Sequence, residues 1–160
     1  MSLDQFLALE KIEGEAQDDA HANEIDVLSW SWGMSQSGSM HVGGGGGAGK
    51  ASFLDLSVTK WVDAATSTLM LYIAKGTHIP TATLVVRKAG DKPLEYVKIT
   101  MTDVLVTSLS TGGSGGEDRL TENLTLNFAE VKVEYQKQKP DGSGEAGKEF
   151  AWNIPKNIPK

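Results

Sequence analysis

The run EIDVLSWSWGMSQSGSM, residues 24–40, sorts by parity. Leu28, Trp30, Trp32, Met34 and Met40 fall on even positions; Ser29, Ser31, Gly33, Ser35, Ser37 and Ser39 fall on odd ones. Successive strand side chains point to opposite faces. The pattern therefore predicts a heavy aromatic core layer on one side and a small, smooth, polar surface on the other. QFLALEKI (5–12) alternates weakly and reads as a first strand, and the polar GEAQDDAHAN (14–23) as a loop. SFLDLSVTK (52–60) is another alternating strand, with Leu54, Leu56 and Val58 on one side.

VDAATSTLMLYIAKG (62–76) has helical character. Asp63 or Thr66 can cap its start, Leu69, Met70 and Ile73 share a face, and Lys75-Gly76 closes it with a favourable charge and a glycine. TATLVVRK (81–88) returns to alternation, and AGDKP (89–93) reads as a turn. LEYVKITMTDVLVTSL (94–109) and NLTLNFAEVKVEYQKQK (123–139) are longer than ordinary strands, and each changes phase. Val97, Ile99 and Met101 give way to Val104 and Val106; Leu124, Leu126 and Phe128 give way to Val131, Val133 and Tyr135. A change of phase signals a bulge, or a strand passing between packing layers. With KEFAWNIP (148–155) as a last strand, the reading is seven or so strands and one helix. The predicted fold is mainly β, a closed antiparallel barrel with one packed helix, in a single domain over residues 1–160.

Composition narrows the function. The 160 residues carry a formal charge of −6, which argues against nucleic acid as a partner. No cysteine is present, so disulfides, zinc knuckles and thiol nucleophiles are excluded. The longest strongly apolar stretch, Leu69 to Ala74, is too short to span a bilayer, so no membrane insertion is expected. The N-terminal MSLDQFLALEKIEGE has an acid at Asp4 and no basic leader, and does not read as a secretory signal.

HVGGGGGAGKAS (41–52) contains the G-x-x-x-x-G-K core of a phosphate loop. Ala51 stands where a magnesium-holding Ser or Thr is needed, and residues 52–60 alternate like a strand where a helix is required. The nucleotide reading fails. Gly43, Gly44, Gly45, Gly46 and Gly47 then form a loop of maximal backbone entropy, expected to be ordered only by a close neighbour. STGGSGGED (110–118) is a single imperfect copy of a calcium repeat, with its acid one position early. His21, His41 and His78 lack metal-ligand spacing. Glu117, Asp118 and Glu122 beside Arg119 read as an acidic turn with local ion pairing rather than a catalytic pair. No catalytic, metal or cofactor site emerges, and no enzyme is expected.

Four stretches together are distinctive: HANEIDVLSWSWGMSQSGSMHVGGGGGAGK, DLSVTKWVDAATSTLM, STGGSGGEDRLTENLTLNFAEVKVEYQ and the final WNIP. They resemble the haemolysin-coregulated proteins, tail-tube subunits of bacterial type VI secretion systems, across residues 3–158. The resemblance implies a homohexameric ring around a wide channel, stacked into a tube inside a contractile sheath beneath a spike protein. It implies assembly in the bacterial cytoplasm, export without a signal peptide, and small effector proteins carried in the lumen. On this reading Ser29, Ser31 and Ser35 are candidate lumen contacts. Gly43 to Gly47 and Lys50 form a candidate inter-subunit or inter-ring loop. The competing reading is a monomeric soluble barrel that binds a small ligand inside.

Overall fold

The computed structural model describes residues 2–38, 49–90 and 93–160. In chain order the elements are β1 (Leu3–Leu9), β2 (Ile25–Ser31), β3 (Met34–Ser35), β4 (Ser52–Phe53) and β5 (Leu56–Trp61). There follow α1 (Thr66–Lys75), β6 (His78–Lys88), β7 (Leu94–Thr111), β8 (Thr121–Gln138), β9 (Gly144–Asn153) and β10 (Ile158–Pro159). Six strands run antiparallel in the order β8-β5-β2-β1-β6-β7, and pairing of β7 with β8 closes the barrel. Strands β9 and β10 extend the sheet outward from β8, while β3 and β4 form a separate two-stranded ribbon.

The barrel interior is filled by aliphatic side chains. Leu7, Ile25, Leu56, Leu84, Met101 and Leu126 are all fully buried within it. Burying a side chain of this size stabilises the fold by roughly 1.5–3 kcal/mol. Such packing is the opposite of an internal ligand cavity, so the small-ligand barrel is not favoured.

The phase changes have a common origin. Met101 and Val104 are both buried, as are Phe128 and Val131 on the paired strand. Pairing keeps its register through this level, so no residue is inserted there. Instead Asp103 adopts φ 55°, in the left-handed region that Asp tolerates better than most residues. Both strands turn a corner together, passing from one packing layer to the next. Separate register shifts fall at Val106/Ser108 on β7 and Val27/Ser29 on β2.

The shift on β2 corrects the parity reading. Val27 pairs with Lys60 and Ser29 with Thr59, which leaves Leu28 as the extra residue. Ile25 and Val27 face inward before it, and Trp30 packs on the core after it. Leu28 is 40% exposed rather than buried. Met34 is also exposed, because the chain leaves the barrel for the β3–β4 ribbon, while Trp32 still packs against the core. The predicted strand 52–60 is broken into β4 and β5, and Leu54 at the break is 62% exposed. Met40 lies outside the described residues.

The helix is shorter than its sequence pattern. It begins at Thr66, with Ala65 at the cap position, whose own side chain supplies no cap bond. Asp63 and Thr66 organise the entry reciprocally. The Ala65 N–H donates to Asp63 Oδ1 at 2.9 Å, and the Asp63 N–H donates to Thr66 Oγ1 at 3.1 Å. Leu69 is buried and Tyr72 and Ile73 pack on the core, but Met70 points outward. At the other end Gly76 takes φ 66°; its N–H bonds to Ile73 O, and the Thr77 N–H bonds to Tyr72 O. This double closure matches the expectation for a C-terminal glycine.

Glu122 is not part of an acidic turn. It is fully buried, paired with the fully buried Lys60 on the adjacent strand. Lys60 Nζ also donates to Asp63 Oδ1 at 2.9 Å and to Trp61 O at 2.8 Å; Thr66 Oγ1 donates to Glu122 Oε2 at 2.8 Å. The network ties the helix start to the barrel wall. The loop between β1 and β2 is pinned separately. Arg87 grips Asp18 through two bonds, at 3.0 and 2.5 Å, and holds its carboxyl below the usual range.

Candidate functional site

Ser29 and Ser31 stand on β2 facing away from the core, and both are exposed. Strand pairing extends each into a row. Ser31 lies opposite Ser57, Ser57 opposite Thr125, and Thr125 opposite Ser108. Ser29 continues through Thr59 and Asn123 to Ser110. Two rows of four short polar side chains thus cross β2, β5, β8 and β7. Beneath them, on the opposite side of the same strands, lie Leu56, Val58, Leu124 and Leu126. Strand alternation alone produces this division.

The rows are bonded laterally. Thr59 Oγ1 donates to Asn123 Oδ1 at 2.8 Å. Ser108 Oγ lies 2.5 Å from Thr125 Oγ1, which lies 2.7 Å from Thr107 Oγ1. Thr107 in turn donates to Asp55 Oδ2 at 2.7 Å. A carboxylate accepts only, so this contact sets the direction of the chain: Ser108 to Thr125 to Thr107 to Asp55. Asn127 Nδ2 donates to the other Asp55 oxygen at 2.9 Å. Both oxygens of Asp55 are therefore occupied by the face itself.

The four strands also form an open sheet at this level. Strand β2 meets β1 only at Ile25 and Asp26, and β7 meets β6 only as far as Leu105. Among the described residues, no strand pairs with the outer edge of β2 at Ser29–Ser31 or of β7 at Val106–Thr111. Where β1 and β2 part, Gln5 Nε2 donates to Val27 O at 3.3 Å and Leu28 O at 3.2 Å, satisfying those carbonyls.

At one end of the face, Arg119 lies over the Trp61 ring, 4.4 Å from its centroid. Among the described residues it makes no ion pair with Glu117 or Asp118, contrary to the local pairing expected. Asp26 sits near it, its carboxyl pushed above the usual range by burial, with the Arg119 charge opposing that shift. At the opposite end, Lys50 lies on the rim of a cavity of about 350 Å³. Ser35 is exposed but lies on the β3–β4 ribbon, off the two rows. Gly43 to Gly47 lie outside the described residues. His21 bonds to Glu24 and Glu95, and His78 to Asp103, each away from the rows. No cluster of metal-ligating side chains occurs among the described residues.

Sequence reasoning found Ser29 and Ser31 but missed Ser57, Thr59, Asn123, Thr125, Ser108 and Ser110. The signal was present: odd positions of 55–59 and 121–127 are small and polar, like those of 29–35. Only strand pairing aligns them.

The comparisons with known proteins agree with this fold. The family profile described as "Type VI secretion system effector, Hcp" matches residues 6–135. The chain is 57% identical to Protein hcp1 of Pseudomonas aeruginosa over 160 residues, 99% of either chain. A solved type six secretion system protein superposes with a TM-score of 0.93 at 33% identity, covering 99% of this chain and 100% of that one. Hcp1 from Salmonella typhimurium superposes with a TM-score of 0.81 at 40% identity, each chain covered completely.

Proposed function

The chain belongs to the Hcp family and is a tube subunit of the type VI secretion system; from that premise we propose that its hydroxyl face lines the tube's channel. It is a structural and secreted protein, and no helix among the described residues is long and apolar enough to cross a membrane. In our reading six copies form a ring, rings stack into the tube, and the subunit acts without catalysis. The ring closes when the β7 edge of one copy meets the β2 edge of the next. Two different edges that join in this way make a heterologous contact, which generates rings when the rotation closes. Pairing also removes the hazard of exposed strand edges.

The observation that carries this reading is the coincidence of the two hydroxyl rows with two edges of one sheet that are unpaired among the described residues. Joined side by side, such sheets give a continuous surface of short side chains. These keep a hydration layer and offer no bulky anchor, so small effector proteins are held weakly and released readily. The spike at the tip, the sheath outside, assembly in the bacterial cytoplasm and export without a signal peptide belong to the same proposal. Ser35 extends the lumen contacts below the rows, and Gly43–Gly47 with Lys50 make contacts between subunits or rings.

Proline at Leu109 and, separately, at Ser110 tests the ring, because one of the two adjacent N–H groups points to the open edge. Size-exclusion chromatography is expected to give monomer for one of the pair. Ring-sized elution of both contradicts edge pairing. Replacing Ser31 with Trp is expected to reduce effector retention while rings persist; unchanged retention contradicts the lumen assignment. Substituting Gly45 and Gly46 with Val is expected to shorten tubes in electron micrographs, and tubes of normal length count against a contact role for that loop.

A further inference from the structure

The segment 10–24 between β1 and β2 lies over the outer side of the barrel wall. Leu7 of β1 belongs to the core cluster; Phe6, its neighbour in the strand, points the other way and is buried under this segment. Backbone bonds fold the segment on itself. The Gly14 N–H donates to Asn23 O at 2.8 Å, the Asn23 N–H to Ala16 O at 2.8 Å, and the Ala16 N–H to Glu24 O at 2.9 Å. Gly14 allows the close pass, since a Cβ there would lie 2.6 Å from Glu24 O.

Side chains fasten the folded segment to the barrel. The Ala64 N–H donates to Glu15 Oε2 at 2.6 Å, which joins the segment to the helix entry. Arg87 on β6 joins Asp18 of the segment to Asp4 of β1. His21 joins it to β7: Nδ1 lies 2.9 Å from Glu24 Oε2, and Nε2 lies 2.7 Å from Glu95 Oε1. The histidine is only 7% exposed.

Arg87 and His21 share one aromatic ring. The guanidinium lies 5.2 Å from the Phe6 centroid, and the imidazole stacks on Phe6 at 4.4 Å with 11° between planes. The ring quadrupole favours positive charge at both places. Each group also stands between two carboxylates, Arg87 between Asp4 and Asp18, His21 between Glu24 and Glu95. Their chemistry differs. A guanidinium keeps its charge, whereas an imidazolium gives up its proton within the physiological range. A neutral imidazole has one N–H, so one of the two glutamates then faces a lone pair.

We infer that His21 is a proton-operated clasp: charged, it ties the segment 10–24 to β7, and neutral, it lets go of Glu95. Glu95 is the partner released. It sits 43% exposed at the start of β7, whereas Glu24 lies three residues from His21 in the same folded segment. Release loosens one wall of a cavity of about 630 Å³, which Glu13, Asn23 and Glu24 share with Ala64 and Thr68. The Arg87 fastening stays, so the segment remains attached at Asp18. The charged ring is the form with both bonds, so the clasp is complete with the proton bound and is lost as pH rises. It lies on β1, β6 and the start of β7, away from the hydroxyl rows, and does not depend on the assembly proposed above.

Hydrogen–deuterium exchange of the full chain, read by mass spectrometry and corrected at each pH for the intrinsic rate, tests the clasp. Histidine is the side chain that ordinarily titrates from about pH 5 to about pH 8. Across that interval, protection of peptides covering 10–24 is expected to fall by roughly tenfold. In His21→Gln it is expected to be low and flat. Flat protection in the parent, or a fall of equal size in His21→Gln, overturns the clasp. Glu95→Gln removes one charge at an exposed position and keeps the test open should the histidine variant fail to fold. Its fall is expected to be shallower than the parent's, and one equally steep overturns the role of Glu95. His78→Gln, at a histidine bonded to Asp103, is expected to leave the fall intact. Loss of the pH dependence in that variant overturns its assignment to His21.

Discussion

Strands β5 and β8 carry two chemistries back to back. On the core side, Lys60 and Glu122 are an ion pair with no solvent exposure, held among Leu56, Val58 and Leu124. On the outer side, one residue away along each strand, Thr59 and Asn123 share a hydrogen bond in solvent. The inner pair was removed from water at a cost of several kcal/mol per ion, which the bonds from Lys60 and Thr66 to Glu122 Oε2 offset only in part, since Glu122 Oε1 is buried with no partner among the described residues. The outer pair gave up little hydration and gains little. Stability therefore resides on one face and the surface available for function on the other. A single strand register maintains both.

The sharpest way to break this contrast is to unpair the inner face. Lys60→Met leaves a buried carboxylate uncompensated and is expected to lower unfolding stability by about 3–5 kcal/mol in urea titration. Lys60→Met/Glu122→Leu is expected to recover most of that loss, because an apolar pair of similar volume has no charge to desolvate. A double variant as unstable as the single one would show that the network fixes the helix entry by geometry rather than by charge balance.

Removing an outer hydroxyl is expected to do far less. Thr125→Val interrupts the chain from Ser108 to Asp55, yet both neighbours can bond to water. A loss of about 0.5–1.5 kcal/mol bounds the effect. Its consequence is expected in effector retention rather than in unfolding.

The pinned β1–β2 loop supplies a smaller, pH-dependent term. Arg87 depresses the Asp18 carboxyl in the folded state. That contribution is present above the ordinary range of an aspartate, near pH 4, and is lost as pH falls through the depressed value. The midpoint of urea unfolding is therefore expected to fall more steeply below pH 4 in the parent than in Asp18→Asn. Equal slopes would remove the clip from the account.

Much of the fold was legible because strong periodicity reports local geometry. Alternation located the strands, the phase changes marked the corner that Asp103 makes on β7, and Lys75-Gly76 located the helix end. What failed depended on pairing. Leu28 looked like core because parity cannot register an inserted residue. Met34 and Leu54 looked like core because the pattern does not reveal where a chain leaves the barrel. Lys60 and Glu122 are 62 residues apart, and each reads as a surface charge until the strands are laid side by side. The candidate face was legible only at Ser29 and Ser31. Its breadth comes from six further residues on three other strands, contributed by cross-strand register that one sequence does not display.

The central claim is that the hydroxyl face borders a channel. A single cysteine at Ser57, in a chain that otherwise has none, can be tagged with a compact electron-dense maleimide and the rings imaged by cryo-electron microscopy. The tag's density is expected on the inner wall of the hole, repeated once per subunit. Density on the outer rim, or labelled particles with no hole, would contradict the account.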